Sequence, residues 1–278
     1  MLWEAWQHWR TPSAPYLKQM GYVYEAVAMQ ARAARCRYTW FQHYQRCQQT
    51  IKALAEQCQS RRKVLILGAG SAQDIPLAYL NETFEQVVLV DLVFTPNVLK
   101  QVQAFERVEC VLADVTDSVE GFYHGVLHVA APQAWLDDTR LDLVISLNMA
   151  TQLPLLPVRW LLDRFALEDS QIENLGSALI QQHVNYLSAF SCQVALIADR
   201  SNREYDRQHT CVDKLDPWWG VVAPPSLASW QWEVIPFGEG KRRQIRQVNK
   251  VGVSVKLAHQ AQWLSETDNQ AWLSVLND

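Results

Sequence analysis

Gly68 and Gly70 sit in the run Gly68-Ala69-Gly70-Ser71-Ala72-Gln73-Asp74, directly after the apolar stretch Val64-Leu65-Ile66-Leu67. Glycines so placed let a backbone approach a ligand that side chains would hold away. A second apolar run, Val87-Val88-Leu89-Val90, stops at Asp91, whose carboxylate can accept hydrogen bonds from sugar hydroxyls. Asp114 closes a third run, Val111-Leu112-Ala113, while Asn148 and Asp199 follow a fourth and a fifth. Groups at successive strand ends face one crevice, so this pattern points to a nucleoside-type ligand held above a sheet.

The elements that must position these residues read as follows. Apolar runs bounded by loops occur at 63–67, 87–91, 108–113, 141–147 and 193–199, separated by helical intervals at 72–81, about 95–105 and about 170–191. Strand and helix alternating in this way predict a parallel sheet covered on both faces. Residues 230–236 and 245–257 alternate in strand fashion around Gly238-Glu239-Gly240, which predicts an antiparallel hairpin at the end of the sheet. A short helix is expected around 259–275. Residues 1–60 lack strand signals and read as helices, punctuated by Pro12, Pro15 and Gly21 and resuming from about Cys36 to Cys58. The chain therefore divides into a helical subdomain, 1–60, that covers a cleft, and an α/β domain, 61–278.

Five parallel strands followed by an antiparallel pair, with an acid after the second strand, resemble the class I S-adenosylmethionine-dependent methyltransferases over about residues 61–257. The resemblance implies a Rossmann-like fold: a mostly parallel seven-stranded sheet with a C-terminal antiparallel hairpin, preceded by the N-terminal helical layer. It implies S-adenosyl-L-methionine as cofactor, held by Gly68, Ala69, Gly70 and Asp74 of the loop, by Asp91 and Leu92 at the ribose, by Asp114 and Val115 beside the adenine, and by Asn148. Ala72 stands where the family commonly has a third glycine. Gln73 stands where a dinucleotide-binding helix wants glycine, which sets the chain apart from NAD(P)-linked oxidoreductases, the second enzymatic reading. A non-catalytic cofactor- or partner-binding protein of the same fold is the first alternative, ahead of the oxidoreductase. The Asp-Pro-Pro-Tyr type of motif used to methylate amino groups of bases is absent.

Methyl transfer from a sulfonium needs an oriented nucleophile and, where required, a proton acceptor. Candidates are Asn148 and Asp199 at strand ends, His183 in the helix before the fifth strand, and His43 between Phe41 and Tyr44. Two basic clusters, Arg32/Arg35/Arg37/Arg46 and Lys241/Arg242/Arg243/Arg246, read as solvated faces or as a clamp for an anionic substrate. Trp218, Trp219, Trp230 and Trp232 suit an aromatic wall and a planar substrate. The six cysteines include Cys36, Cys47 and Cys58 at 11-residue spacing, too far apart on one helix for a disulfide or shared metal, so no metal site is expected. A net charge of −4 speaks against nucleic acid, and no apolar run is long enough to span a membrane. The N-terminus lacks the pattern of a secretory signal, so cytoplasm is the expected compartment.

Overall fold

The computed structural model describes residues 2–265. It opens with four helices, α1 (Leu2–Arg10), α2 (Pro15–Met20), α3 (Tyr22–Arg35) and α4 (Arg37–Glu56). Pro15 starts α2 where its missing N–H costs nothing, and Gly21, at φ 93°, ends it in the left-handed conformation that glycine adopts without strain. Cys36 forms the joint between α3 and α4, so the three evenly spaced cysteines do not share one continuous helix.

The strands are β1 (Lys63–Leu67), β2 (Gln86–Asp91), β3 (Val108–Leu112), β4 (Leu141–Leu147), β5 (Gln193–Tyr205), β6 (Cys211–Leu215), β7 (Ala228–Ile235) and β8 (Arg246–Lys256). They form one sheet in the order β3-β2-β1-β4-β5-β8-β7, with β6 paired to β5 off this path. β1 to β5 run parallel; β8 lies antiparallel between β5 and β7. The sheet therefore has eight strands rather than seven. β6 escapes a hydropathy reading because four of its five residues are exposed. β5 runs six residues past the expected end, through a bulge at Asp199/Ser201, and its distal half carries β6 on one side and β8 on the other.

The helices after the strands are α5 (Leu77–Thr83), α6 (Pro96–Val102), α7 (Val119–Tyr123), α8 (Leu155–Leu162) and α9 (Asp169–Ala189). α5 starts at Leu77, not at 72, because Gly68, Gly70 and Ala72 all have positive φ and keep the loop irregular as far as Pro76. α7 and α8 interrupt stretches where no helix was expected. Residues 259–265 hold no helix, and the remainder of the helix expected at 259–275 lies outside the described residues.

Alternating side chains of the buried strands feed two cores. Val64 and Ile66 face Ile51 and Leu54 of α4, Leu80 of α5 and Val98 of α6. Leu65 and Leu67 face Ile180, Val184 and Leu187 of α9. A third cluster joins Leu17 and Met20 of α2 to Phe122 of α7, Leu161 of α8 and Leu175 of α9. The N-terminal helices thus divide: α4 belongs to the sheet's own core, and α2 packs into a cap with α7, α8 and the start of α9. No helix among the described residues is long and apolar enough to cross a membrane.

Candidate functional site

The loop after β1 is built from its glycines. A Cβ at Gly68 (φ 80°) would lie 2.8 Å from the Leu147 carbonyl oxygen and from Met149 Cβ, so only glycine fits. Gly70 (φ 49°) is open: the nearest atom to a Cβ there is the Gly68 carbonyl oxygen at 3.9 Å. The backbone N–H groups of Gly68 and Ala69 donate to the Val90 carbonyl, which locks the loop onto the end of β2. The Gly70 N–H donates to Asp91 Oδ2 at 2.8 Å. Burial raises the Asp91 pKa above the ordinary carboxylate value, and the backbone N–H of Gly70 and of Val93 work against that rise. Tyr22, at the start of α3, packs against the third cluster near both acids: burial first, then the charges of Asp114 and Asp91, push its hydroxyl well above its usual value.

Asp114 has a different occupation. Its Oδ1 accepts from the Thr116 N–H and hydroxyl, and its Oδ2 from the N–H groups of Ser118 and Val119. Four donors match the four lone-pair positions of a carboxylate, so Asp114 holds its own loop and the entry to α7. Val115 is buried in the core on the α9 side, and Leu92 packs against the cap.

A second polar group forms where α4 crosses the ends of β1, β4 and β5. Asn148, at φ 53°, donates from Nδ2 to Asp74 Oδ2 at 2.9 Å and lies 3.3 Å from His43 Nε2 and 3.7 Å from Cys47 Sγ. His43 and Cys47 are one turn apart on α4 and both buried. The His43 ring stacks on Trp232 at 3.9 Å, and Trp230 Nε1–H donates to His43 Nδ1 at 3.1 Å. Burial lowers the His43 pKa to about 3, raises Asp74 to about 6, and lifts the Cys47 thiol well above its usual value. Asp199 belongs to the same neighbourhood, since its charge acts on Cys47. It accepts from Asn249 Nδ2 at 2.9 Å, its Oδ1 has no partner, and burial raises it to about 7.

His43, Cys47 and Asp74 place ligand atoms within 4.8 Å of one another, close enough to surround a metal ion. Both ring nitrogens of His43 face donors, Trp230 Nε1–H at Nδ1 and the Asn148 amide at Nε2, and a neutral imidazole accepts at only one of them, so the contacts do not fix the tautomer.

No family model matches the chain, and no curated protein matches it. Among solved structures, DhpI in complex with S-adenosylhomocysteine (SAH) aligns over 84% of this chain and 96% of its own, with 12% identity and a TM-score of 0.38. The Burkholderia thailandensis 1,6-didemethyltoxoflavin-N1-methyltransferase, with 1,6-didemethyltoxoflavin and SAH bound, aligns over 88% and 92%, with 14% identity and a TM-score of 0.41. The chain's own strand order sets β8, reversed, between β5 and β7. The fold is that of the class I methyltransferases.

In a class I methyltransferase fold the strand ends face the ligand crevice, and the candidates divide accordingly. Gly68, Ala69, Gly70, Asp91 and Leu92 gather at the ends of β1 and β2. His43, Asp74, Asn148 and Asp199 gather at the ends of β1, β4 and β5. His183 joins neither group: it lies on the α9 side of the sheet, bound through Nε2 to Ser146 Oγ at 2.8 Å, with burial lowering its pKa to about 4. Asn249 and Tyr22 carry contacts that sequence reading missed. Asn249 had a signal, a lone amide in the inward register of Val251, Val253 and Val255.

His43 also lines a cavity of about 340 Å³ between α4 and the distal half of β5, β7 and β8. Its polar wall includes Gln42, Tyr205, Gln231, Glu233 and Arg246. Of the basic clusters, Arg35 pairs with Glu239, Arg242 with Glu204 and Arg246 with Glu233 at 3.6 Å. The tryptophans also divide: Trp230 and Trp232 face His43, whereas Trp218 is buried on the other side, its Nε1–H donating to the Asp199 carbonyl.

Proposed function

We propose that this chain is an S-adenosylmethionine-dependent methyltransferase acting on a small molecule. The observation that carries the reading is the pairing of Gly70 N–H with Asp91 Oδ2 at the mouth of an open glycine loop, within a methyltransferase-type sheet. The residues fit the cofactor. Gly70 leaves room for close approach, and the Asp91 carboxylate keeps lone pairs free for a ribose diol. Leu92 and Val115 would flank the adenine, while Asp114 shapes that end of the cleft through its loop. Tyr22 would close over the nucleoside.

The cofactor, when bound, supplies an activated methyl carbon, so the protein's work is orientation and proton removal. Asn148 and His43 stand where the sheet crevice meets the polar cavity, which is the acceptor's place in this reading. Asp199, buried and raised to about 7, is suited to take a proton near neutral pH. Calorimetry with SAH tests the reading: saturable binding is expected, and no heat at millimolar ligand would overturn it. Incubation of cell metabolites with methyl-labelled donor then identifies the acceptor.

A further inference from the structure

The cavity of about 340 Å³ beside His43 has one cation and one anion in its wall, and they are only loosely joined. Arg246 Nη1 lies 3.6 Å from Glu233 Oε2, whereas a charge-assisted hydrogen bond spans about 2.7–2.9 Å. The guanidinium is nevertheless anchored. Its Nη2 donates to His209 Nδ1 at 3.2 Å, and its Cζ lies 5.5 Å from the Tyr205 ring centroid and 5.7 Å from that of Phe237. His209 reaches it from the turn between β5 and β6 with a left-handed backbone, φ 61°, a conformation that costs a non-glycine residue free energy. Of the five guanidinium N–H groups only one makes a hydrogen bond, and Nε is buried without a partner.

We infer that this cavity binds the headgroup of an α-amino acid, with the carboxylate on Arg246 and the ammonium on Glu233. An α-amino acid carries both charged groups on one carbon, about 3 Å apart, which is close to the separation of the two charges in the wall. An anion alone would fill the Arg246 fork but meet the repulsion of Glu233; a cation alone would meet that of Arg246. A zwitterion keeps the filled cavity neutral, and its carboxylate matches the paired N–H groups of a guanidinium. A planar heterocycle also offers a donor and an acceptor on one edge, but it needs a ring to stack on. Tyr205 and Phe237 already face the guanidinium, and Trp230 and Trp232 face His43. Thr39, Gln42 and Gln231 make the rest of the wall polar, which suits a polar side chain on the ligand.

The cavity is separate from the donor's place, since no residue of the loop after β1 and none of β2 lines it. That the bound amino acid is the methyl acceptor rests on the proposed function; that it binds does not.

The test uses ligand-free protein, screened by saturation-transfer NMR against the standard L-amino acids at millimolar concentration. The strongest responder is then titrated by calorimetry beside its N-acetyl form, which lacks the cation, and its amide, which lacks the anion. At least one amino acid is expected to bind and to lose tenfold or more in affinity in each blocked form. Arg246→Gln and Glu233→Gln, checked for folding by circular dichroism, should each weaken it by a similar factor. No responder, or a blocked form that binds as well as its parent, overturns the site on wild-type protein alone. Affinity unchanged in both variants places the ligand elsewhere and overturns it too. So does a response confined to methionine and abolished by SAH, which would belong to the donor's place. SAH binding is measured separately: if SAH fails to bind while the amino acid binds, the proposed function falls and the site stands. The reverse result keeps the proposed function and removes the site.

Discussion

Asp91 carries the ribose end of the reading through a carboxylate that touches only backbone N–H groups in the ligand-free chain. Charge-assisted hydrogen bonds of this kind contribute about 1.5–3 kcal/mol each. Asp91→Ala is therefore expected to weaken SAH binding roughly 10- to 100-fold by calorimetry while the protein stays folded, and an unchanged affinity would remove Asp91 from the site. At His43, the Trp230 indole and the Asn148 amide compete to set the tautomer. Trp230→Phe leaves only the Asn148 donor at Nε2, so nitrogen-15 NMR of that variant should show the proton on Nδ1. The residues legible from sequence were those whose demands are local: a glycine that must admit a backbone, an acid at a strand end. Cys47, Asn249 and the orphaned Asp199 Oδ1 acquire meaning only when α4, β5 and β8 meet, and no spacing along the chain announces that meeting.

At the level of elements, α9 contains a glycine that ordinary helix chemistry would replace. Gly176→Ala should gain about 1 kcal/mol of helix propensity. Here, however, a Cβ at Gly176 would fall 2.2 Å from Cε3 of Trp219, whose backbone is already held at φ 53°. Overpacking of that kind costs about 1–3 kcal/mol, so the substitution should lower stability, read as a lower urea midpoint with unchanged slope. A rise in the midpoint would mean that the Trp219 ring moves freely. The strands of the parallel core were legible because both faces are buried and leave continuous apolar runs. β6 and the distal half of β5 were not, since a half-exposed, mixed-polarity ribbon has no hydropathy signature. The late start of α5 was hidden by Ala72, a residue that gives no sign of the left-handed backbone it adopts.

For the whole molecule, buried titratable groups act in opposite directions on acid stability. His43 and His183 are held at about 3 and about 4, below the ordinary 6.5, so the unfolded chain takes up protons first and stability falls as pH drops below about 6.5. Asp74 and Asp199 are held at about 6 and about 7, above the ordinary 3.8, so the folded chain takes up protons first and stability rises as pH drops from about 7 towards 4. The two pairs largely offset, and the urea midpoint should change little between pH 4 and 7. In the double variant Asp74→Asn/Asp199→Asn only the histidine contribution remains, and the midpoint should fall steadily with acid. Equal slopes in the two proteins would mean that the carboxyls titrate as exposed groups do. The length of β5 bears on how a ligand gets in. One unbroken strand serves the parallel core and then the cavity wall, hydrogen-bonded to β8 along both halves. Amide protons of Asn202–Glu204 should accordingly exchange with deuterium almost as slowly as those of Val194–Ala198, because opening the wall would unzip the core. Entry and exit then fall to α2 and α3, the helices proposed to cover the nucleoside, whose amides should exchange orders of magnitude faster and slow down when SAH is bound.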